Sequence, residues 1–251
     1  MQEALLYPFL VQAMFVLALV TFLALQFVTA PYGRHTRPGW GPTVRSRTGW
    51  FLMEYPAALG FLAVFLVGRH RGDPAAQALL ALWLLHYGYR GVVYPFRRRG
   101  ADRPMPLVIA LMGASFNLFN GYLNARWVSG MHDYRDWLGD PRFLVGAALF
   151  LTGWAINLHA DEVLRALRKP GEEGYAIPRG GLYRWVSCPN YLGEILEWTG
   201  WAIATWSLPG LAFAMFTFAN LVPRAWAHHA WYRRTFPDYP PERRAVFPYV
   251  L

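Results

Sequence analysis

One cysteine, Cys188, stands in a chain of 251 residues, which excludes an intrachain disulfide framework. Metal-ligand spacing is missing as well. There is no HExxH and no CxxC, His228 and His229 are adjacent, and the other histidines are scattered, so no metal site is expected. Ser187-Cys188 lacks a GxSxG context, leaving nucleophile chemistry of that kind unsupported. No GxGxxG follows a strand-like run. Gly39-Trp40-Gly41-Pro42 is too short and carries a proline, so the usual soluble dinucleotide fold is excluded. Charged residues make up only 16% of the chain, and the net charge of +9 never gathers into one long basic tract. The arginines lie between apolar runs, a pattern of membrane topology and not of nucleic-acid binding. The ten-residue alternation of a membrane barrel is absent, and so is an internal repeat. Residues 1–30 have no basic segment ahead of their apolar run, which is long enough to span, so they do not read as a cleaved leader.

What the chain does have is apolar and aromatic: 55% hydrophobic residues, 17% aromatic, twelve tryptophans. Long apolar runs recur at about 6–29, 50–68, 75–96, 105–125, 143–162, 190–207 and 209–223. The last two share the tight Ser207-Leu208-Pro209-Gly210 turn, and 224–236 continues as a polar, aromatic helix. The expected fold is an all-α integral membrane protein of seven transmembrane helices, one domain over 1–251, with the lipid bilayer as its solvent and a monomer as its working state. The Lys and Arg counts test this. Loops 30–49, 97–104 and 163–189 and the tail from 224 hold eighteen, against five in the alternate loops. The richer set belongs in the cytoplasm with the C-terminus, which leaves the N-terminus outside.

Within this apolar background lie four polar rows at helical spacing. Asn157, Asp161, Arg165 and Arg168 form one; Asn190, Glu194 and Glu197 form another, with Pro189-Asn190 reading as a helix start and Asn190 as its N-cap. Arg224, His228 and Tyr232 form the third, and Asn117, Asn120 and Asn124 the fourth. Any one row alone reads best as interhelical hydrogen bonding or snorkelling arginine. Converging, they suit a large anionic ligand with sugars. Cations answer phosphates, acids and amides answer ribose hydroxyls and a carboxamide, and aromatic faces cover rings. A nicotinamide dinucleotide has all these parts. The Pro170-Gly171 and Gly180-Gly181 pairs mark a loop, Glu172 to Tyr183, that either folds over such a ligand or simply connects helices.

Glu54, in WFLMEYP, stands apart from these rows. Burial beside Met53 and Tyr55 favours the neutral acid over the carboxylate. Tyr87, in LHYGYR, is its natural companion on the next span, and Arg90 and Tyr94 continue that face toward the cytoplasm. A protonated carboxyl and a phenol can donate jointly to one carbonyl oxygen. For Tyr87 and its neighbour His86, ordinary packing is an equally good reading.

Through WFLMEYP, LHYGYRGVVYP, INLHADEVLRALRKPGEEGYAIPRGGLY, NYLGEILEW, ATWSLP and RAWAHHAWYRRTFPDYP the sequence resembles the steroid 5α-reductases, the membrane 3-oxo-5α-steroid 4-dehydrogenases. That resemblance implies a seven-helix fold with NADPH on the cytoplasmic side and a steroid substrate reached from the bilayer. Helices one to four would form most of the substrate pocket, and 157–232 most of the cofactor pocket. It implies that Glu54 and Tyr87 bind the 3-keto oxygen beside Met53. Arg90, Tyr94, Arg103, Asn120, Asn157, Asp161, Arg165, Arg168, Tyr175, Asn190, Glu194, Arg224, His228 and Tyr232 would serve the cofactor. Two departures stand out. Met53 replaces a glutamine common in eukaryotic relatives, removing a hydrogen bond near the keto group. Met112 replaces an arginine, removing a phosphate contact that Arg97–Arg99 are placed to supply. The C-terminal third also looks distantly like the isoprenylcysteine carboxyl methyltransferases, which use S-adenosylmethionine, but Glu54 and Tyr87 have no task there. A non-enzymatic lipid-binding or transport protein, with the polar rows as structural glue, is the remaining rival.

Overall fold

The computed structural model describes residues 2–97, 100–167 and 174–250. Helix α1 (Gln2–Phe27) is followed by α2 (Ser46–Leu66) and α3 (Pro74–Gly88), which runs through a π-helical turn, Tyr89–Val93, into the short α4 (Tyr94–Arg97). Then come α5 (Leu107–Arg126), α6 (Pro141–Ala166), α7 (Pro189–Thr205) and α8 (Leu208–Thr235). Among the described residues each apolar run lies mainly in one long helix, except 75–96, which passes through α3, the π-helical turn and α4. Four stretches among the described residues are long and apolar enough to cross a membrane: Leu5–Phe27, Ser46–Leu66, Leu107–Met131 and Pro141–Ala166. Helices α3 and α7, with 15 and 17 residues, are short against the roughly 20 that a full crossing takes, and α8 ends in a polar half. Leu5, Phe9, Leu19 and Leu23 on α1 are more than half exposed, an unpartnered apolar face that suits lipid.

Aromatic packing holds the centre. The Phe61 and Trp83 rings stack at 4.4 Å, Trp83 meets Trp201 at 5.1 Å, and Trp198 meets Phe213 at 4.3 Å. Buried indole N–H groups need partners. Trp83 donates to the Ala57 carbonyl at 3.1 Å and Trp201 to Asn124 Oδ1 at 2.8 Å.

Helices α6 and α7 touch backbone to backbone. Gly146 and Gly153 on α6 face Gly200 and Gly193 on α7, all at seven-residue spacing. A Cβ on Gly193 would lie 2.6 Å from both the Asn157 nitrogen and the Gly153 carbonyl, so only glycine permits this approach. That contact carries the polar rows of both helices to one place.

The loops sort to two ends of the bundle. Strand β1 (Thr43–Arg45) pairs antiparallel with β2 (Pro104–Pro106), joining loop 30–49 to loop 97–104. Arg34 reaches Tyr232 at 3.2 Å, Arg103 reaches Tyr175 at 3.3 Å, and Ser187 N donates to Arg244 O at 2.8 Å. The four arginine-rich segments therefore share one end. At the other, His70 N donates to Ser129 O at 2.7 Å and Tyr134 OH to Thr205 O at 2.7 Å.

One local expectation changes. Cys188, not Asn190, occupies the N-cap position of α7, because Pro189 takes the first helical position, where its missing N–H costs nothing. Asn190 is thereby freed to use its side chain elsewhere. Between α7 and α8, Trp206 adopts φ 45° and Ser207 Oγ accepts from Gly210 N at 3.0 Å, building the expected turn from a left-handed residue and a cap.

Candidate functional site

A cavity of about 1090 Å³ opens between α1, α2, α3, α5, α7 and α8, with walls also from α6 and loop 30–36. Single-ligand pockets run to about 300–1,000 Å³. This one lies at the upper end of that range.

At one end, α2, α3 and α5 present an acid, a phenol and an amide. Tyr87 OH donates to Asn117 Oδ1 at 3.3 Å, and Asn117 Nδ2 donates to the Met53 carbonyl at 2.7 Å and to Glu54 Oε2 at 3.4 Å. Glycines permit this meeting. A Cβ on Gly91, in the π-helical turn, would come within 3.0 Å of the Tyr55 backbone, and one on Gly113 would collide with the Met53 side chain. Arg90, in the same π-helical turn, reaches Asp161 on α6.

At the other end lie the cations and carboxylates. Arg90 Nη1 donates to Asp161 Oδ2 at 3.1 Å and stacks its guanidinium over Tyr94 at 4.3 Å. Asn190 Nδ2 donates to Asp161 Oδ1 at 3.3 Å, and Asn157 Nδ2 holds the Asn190 carbonyl at 2.9 Å. Glu194 lines the cavity one turn beyond Asn190. Arg224 Nη2 donates to Tyr191 OH at 3.1 Å, and Tyr191 OH lies 3.0 Å from His228 Nε2. Arg165 is paired with Glu162, which also meets Arg97 at 3.4 Å.

Met53, Glu54, Tyr87, Arg90, Tyr94, Arg103, Asp161, Arg165, Tyr175, Asn190, Glu194, Arg224, His228 and Tyr232 all line this cavity. Asn120 and Asn157 do not. Asn120 is fully buried and accepts from Asn124 at 2.8 Å, so in that row Asn117 faces the cavity while Asn124 accepts from Trp201 on α7. Arg168, with Arg98 and Arg99, lies outside the described residues. Glu197 leaves the cavity wall and pairs with His86. The loop contributes Tyr32, Arg34 and His35, none of which the helical spacing could reveal. Arg34 sits over Trp231 at 4.6 Å and Tyr232 at 4.5 Å, and His35 Nε2 lies 3.1 Å from His228 Nδ1. Burial and then the nearby charges of Arg34, Arg224, Arg234 and Arg37 hold the His35 imidazole down near 4. Burial pushes the Cys188 thiol up to about 12, so it stays protonated and inert as a nucleophile.

The donor set fits a dinucleotide. The polar side chains bond to one another and still line open volume. Cations, carboxylates, amides and aromatic faces remain on its surface.

Comparison with known proteins decides the family. The family model described as 3-oxo-5-alpha-steroid 4-dehydrogenase matches residues 103–251. A steroid 5-alpha-reductase of Gossypium hirsutum is 45% identical over 253 residues, covering 98% of this chain and 97% of its own. The chain belongs to the steroid 5α-reductase family. The 3-oxo-5-alpha-steroid 4-dehydrogenase 1 of Bos taurus is 46% identical, covering 94% of this chain and 93% of its own, and that of Homo sapiens is 47% identical over 88% and 86%. Steroid 5α-reductases are oxidoreductases, which displaces the methyltransferase and transport readings. Within the family-matched region fall α5 to α8, and with them Asn117 and the Asp161–Asn190 contact. Four helices able to cross a membrane and these relatives are together consistent with a multi-pass membrane protein.

Proposed function

We propose that this protein reduces the 4,5 double bond of a 3-oxo-4-ene steroid, or of a polycyclic lipid with the same enone, with NADPH as reductant. The observation that carries this is the sharing of one cavity by an acid–amide–phenol cluster and a cation–carboxylate row. The names of the reductases in cotton, cattle and human support the reaction class.

When bound, the reduced nicotinamide supplies a hydride to C5, giving the 5α-3-oxo product once C4 has taken a proton. Glu54 and Tyr87 donate to the 3-keto oxygen and hold the charge that develops there. Such preorganised donors are worth about 10²–10³ in rate each. Asn117 ties the two together, and Met53 lies alongside. Arg90, Tyr94, Arg103, Arg165, Tyr175, Arg224, His228 and Tyr232, with Arg168, supply the cations and aromatic faces for phosphates and rings. Asp161, Asn190 and Glu194 serve the sugar hydroxyls and the carboxamide. Asn120 and Asn157 act from behind, by bracing Asn124 and Asn190.

All seven long helices cross the bilayer in this reading, with the N-terminus outside. The arginine-rich end, where the β1–β2 pair and the C-terminal tail gather, then faces the cytoplasm and NADPH. Every group named comes from one chain, so a monomer suffices. The test is purified protein with NADPH and a 3-oxo-4-ene steroid, followed at the nicotinamide absorbance. Steroid-dependent oxidation is expected; its absence with every such steroid overturns the proposal.

A further inference from the structure

Beside Tyr87 lies a pair for which the reading so far has no use. His86 Nδ1 is 2.7 Å from Glu197 Oε1, and the two side chains are 4% and 0% exposed. The second carboxyl oxygen, Glu197 Oε2, has no hydrogen-bond partner among the described residues. A fully buried carboxylate with one oxygen unpartnered is costly unless a proton or a positive charge accompanies it. The pair is therefore net neutral, in one of two forms. Either Glu197 is protonated and donates to Nδ1 of a neutral ring, or the carboxylate faces a protonated imidazolium. A neutral ring with its hydrogen on Nδ1 would leave the acid O–H of Glu197 unpartnered, so in both forms Nε2 carries a hydrogen.

That hydrogen has somewhere to go. His86 is part of the cavity wall, next to Tyr87, with their rings 4.8 Å apart. The Trp198 ring, edge-on at 4.6 Å, packs against the imidazole as well. Glu197 is held as rigidly, since its backbone sits in the close α6–α7 contact against Gly153. Chemistry at the Glu54–Tyr87 end needs a proton at carbon as well as donors at oxygen. C4 is bonded to the carbonyl carbon, so it lies beside whatever holds the keto oxygen.

We infer that His86, oriented by Glu197, is the proton donor to C4. The inference rests on the enone-reductase reading above. As the nicotinamide hydride forms the C5–H bond and the nicotinamide is oxidised, the enolate electrons take the Nε2 proton to form C4–H. The N–H electron pair stays on Nε2. Starting from the protonated acid, the Glu197 proton moves to Nδ1 and the carboxylate holds the charge. A proton drawn from bulk solvent through the cavity then returns to Nε2, which leaves the imidazolium–carboxylate form of the same neutral pair. Glu197 acts only through His86 and is a positioning residue.

The decisive experiment runs the reaction with NADPH and a 3-oxo-4-ene steroid in deuterium oxide and reads deuterium at C4. Wild type should label a single face. His86→Gln should lower kcat about 100-fold with NADPH affinity unchanged, and should spread the label over both faces. Single-faced labelling by His86→Gln, with the wild-type solvent isotope effect, overturns the donor assignment while leaving the reductase intact. No enone reduction by wild type overturns the reading beneath it instead. Glu197→Gln, which keeps the shape but cannot carry the second proton, should lower kcat about tenfold and shift its pH profile at unchanged steroid KM. A profile matching wild type overturns the part given to Glu197. Independently of turnover, nitrogen-15 resonances of the whole protein should show His86 Nε2 protonated, and a bare Nε2 overturns the proposal.

Discussion

The Asn117 amide nitrogen reaches the Glu54 carboxyl at 3.4 Å while donating to the Met53 carbonyl at 2.7 Å. The shorter bond to backbone aims the amide, and the amide then restrains the acid. With Tyr87 donating to the same side chain, one residue of α5 registers donors from α2 and α3. Glu54→Ala and Tyr87→Phe each remove a donor to the keto oxygen and should lower kcat by about 10²-fold. Asn117→Ala leaves both donors in place but loosens them, so a loss of about tenfold is expected. NADPH affinity should stay at the wild-type value in all three, read by titration of the detergent-solubilised protein. Collapse of cofactor binding in any of them would mean that this end of the cavity holds the dinucleotide.

Asp161 is the hinge of the other end, accepting from Arg90 on one oxygen and Asn190 on the other. Asp161→Ala removes a ribose or carboxamide partner and also releases two donors that the cavity wall had aimed. Hydrogen bonds to charged groups contribute about 1.5–3 kcal/mol each. NADPH affinity should therefore fall roughly 10- to 100-fold, with kcat at saturating cofactor kept within a few-fold. Isothermal titration gives the first number and steady-state kinetics the second. An unchanged dissociation constant removes the case for this row.

The close α6–α7 approach is sensitive to a single methyl group. A Cβ on Gly153 collides with the Glu197 nitrogen and the Gly193 carbonyl, backbone atoms that cannot rotate away. Gly153→Ala must push the helices apart, which parts Asn157 from Asn190 and costs about 1–3 kcal/mol as overpacking. Gly72→Ala is the control, since nothing lies within 4 Å of its Cβ position. A clear drop in the midpoint of thermal unfolding is expected for the first and none for the second. Equal midpoints would show that the glycines are not what sets the helix spacing.

Much of this site was legible because helices impose a period. Asn157 with Asp161, and Asn190 with Glu194, repeat at four residues, and a four-residue row inside apolar sequence announces a shared face. The same rule could not rank Asn117 above Asn120 and Asn124. All three share a stripe, and which one meets a cavity depends on where α2 and α3 cross α5. Glu197 misled for the same reason: three residues past Glu194, it belongs to the stripe, yet it is drawn into the core by His86. Tyr32, Arg34 and His35 carry no period at all, for their loop is placed by the β1–β2 pairing and by Tyr232. The glycine heptads at Gly146, Gly153, Gly193 and Gly200 were present in the sequence, and matching seven-residue spacing on neighbouring helices was the available signal. Seven apolar runs likewise gave seven long helices. The short ones, α3 and α7, carry Trp83, Trp198 and Trp201 into the aromatic core.

His35 makes the site's charge measurable through pH. Burial and four neighbouring arginines hold its folded pKa near 4, below the ordinary value of 6.5. Between these two values the unfolded chain binds a proton at this side chain that the folded protein refuses. Stability from a neutral His35 is thus complete above pH 6.5 and drains away as the pH falls through 4. His35→Gln, which is neutral throughout, should flatten the part of the stability profile that rises between pH 4 and 6.5, with little change at pH 8. Thermal midpoints of both proteins in one detergent across that range are the measurement. Parallel profiles would mean that His35 is protonated freely in the fold, and that the arginines around it are already neutralised.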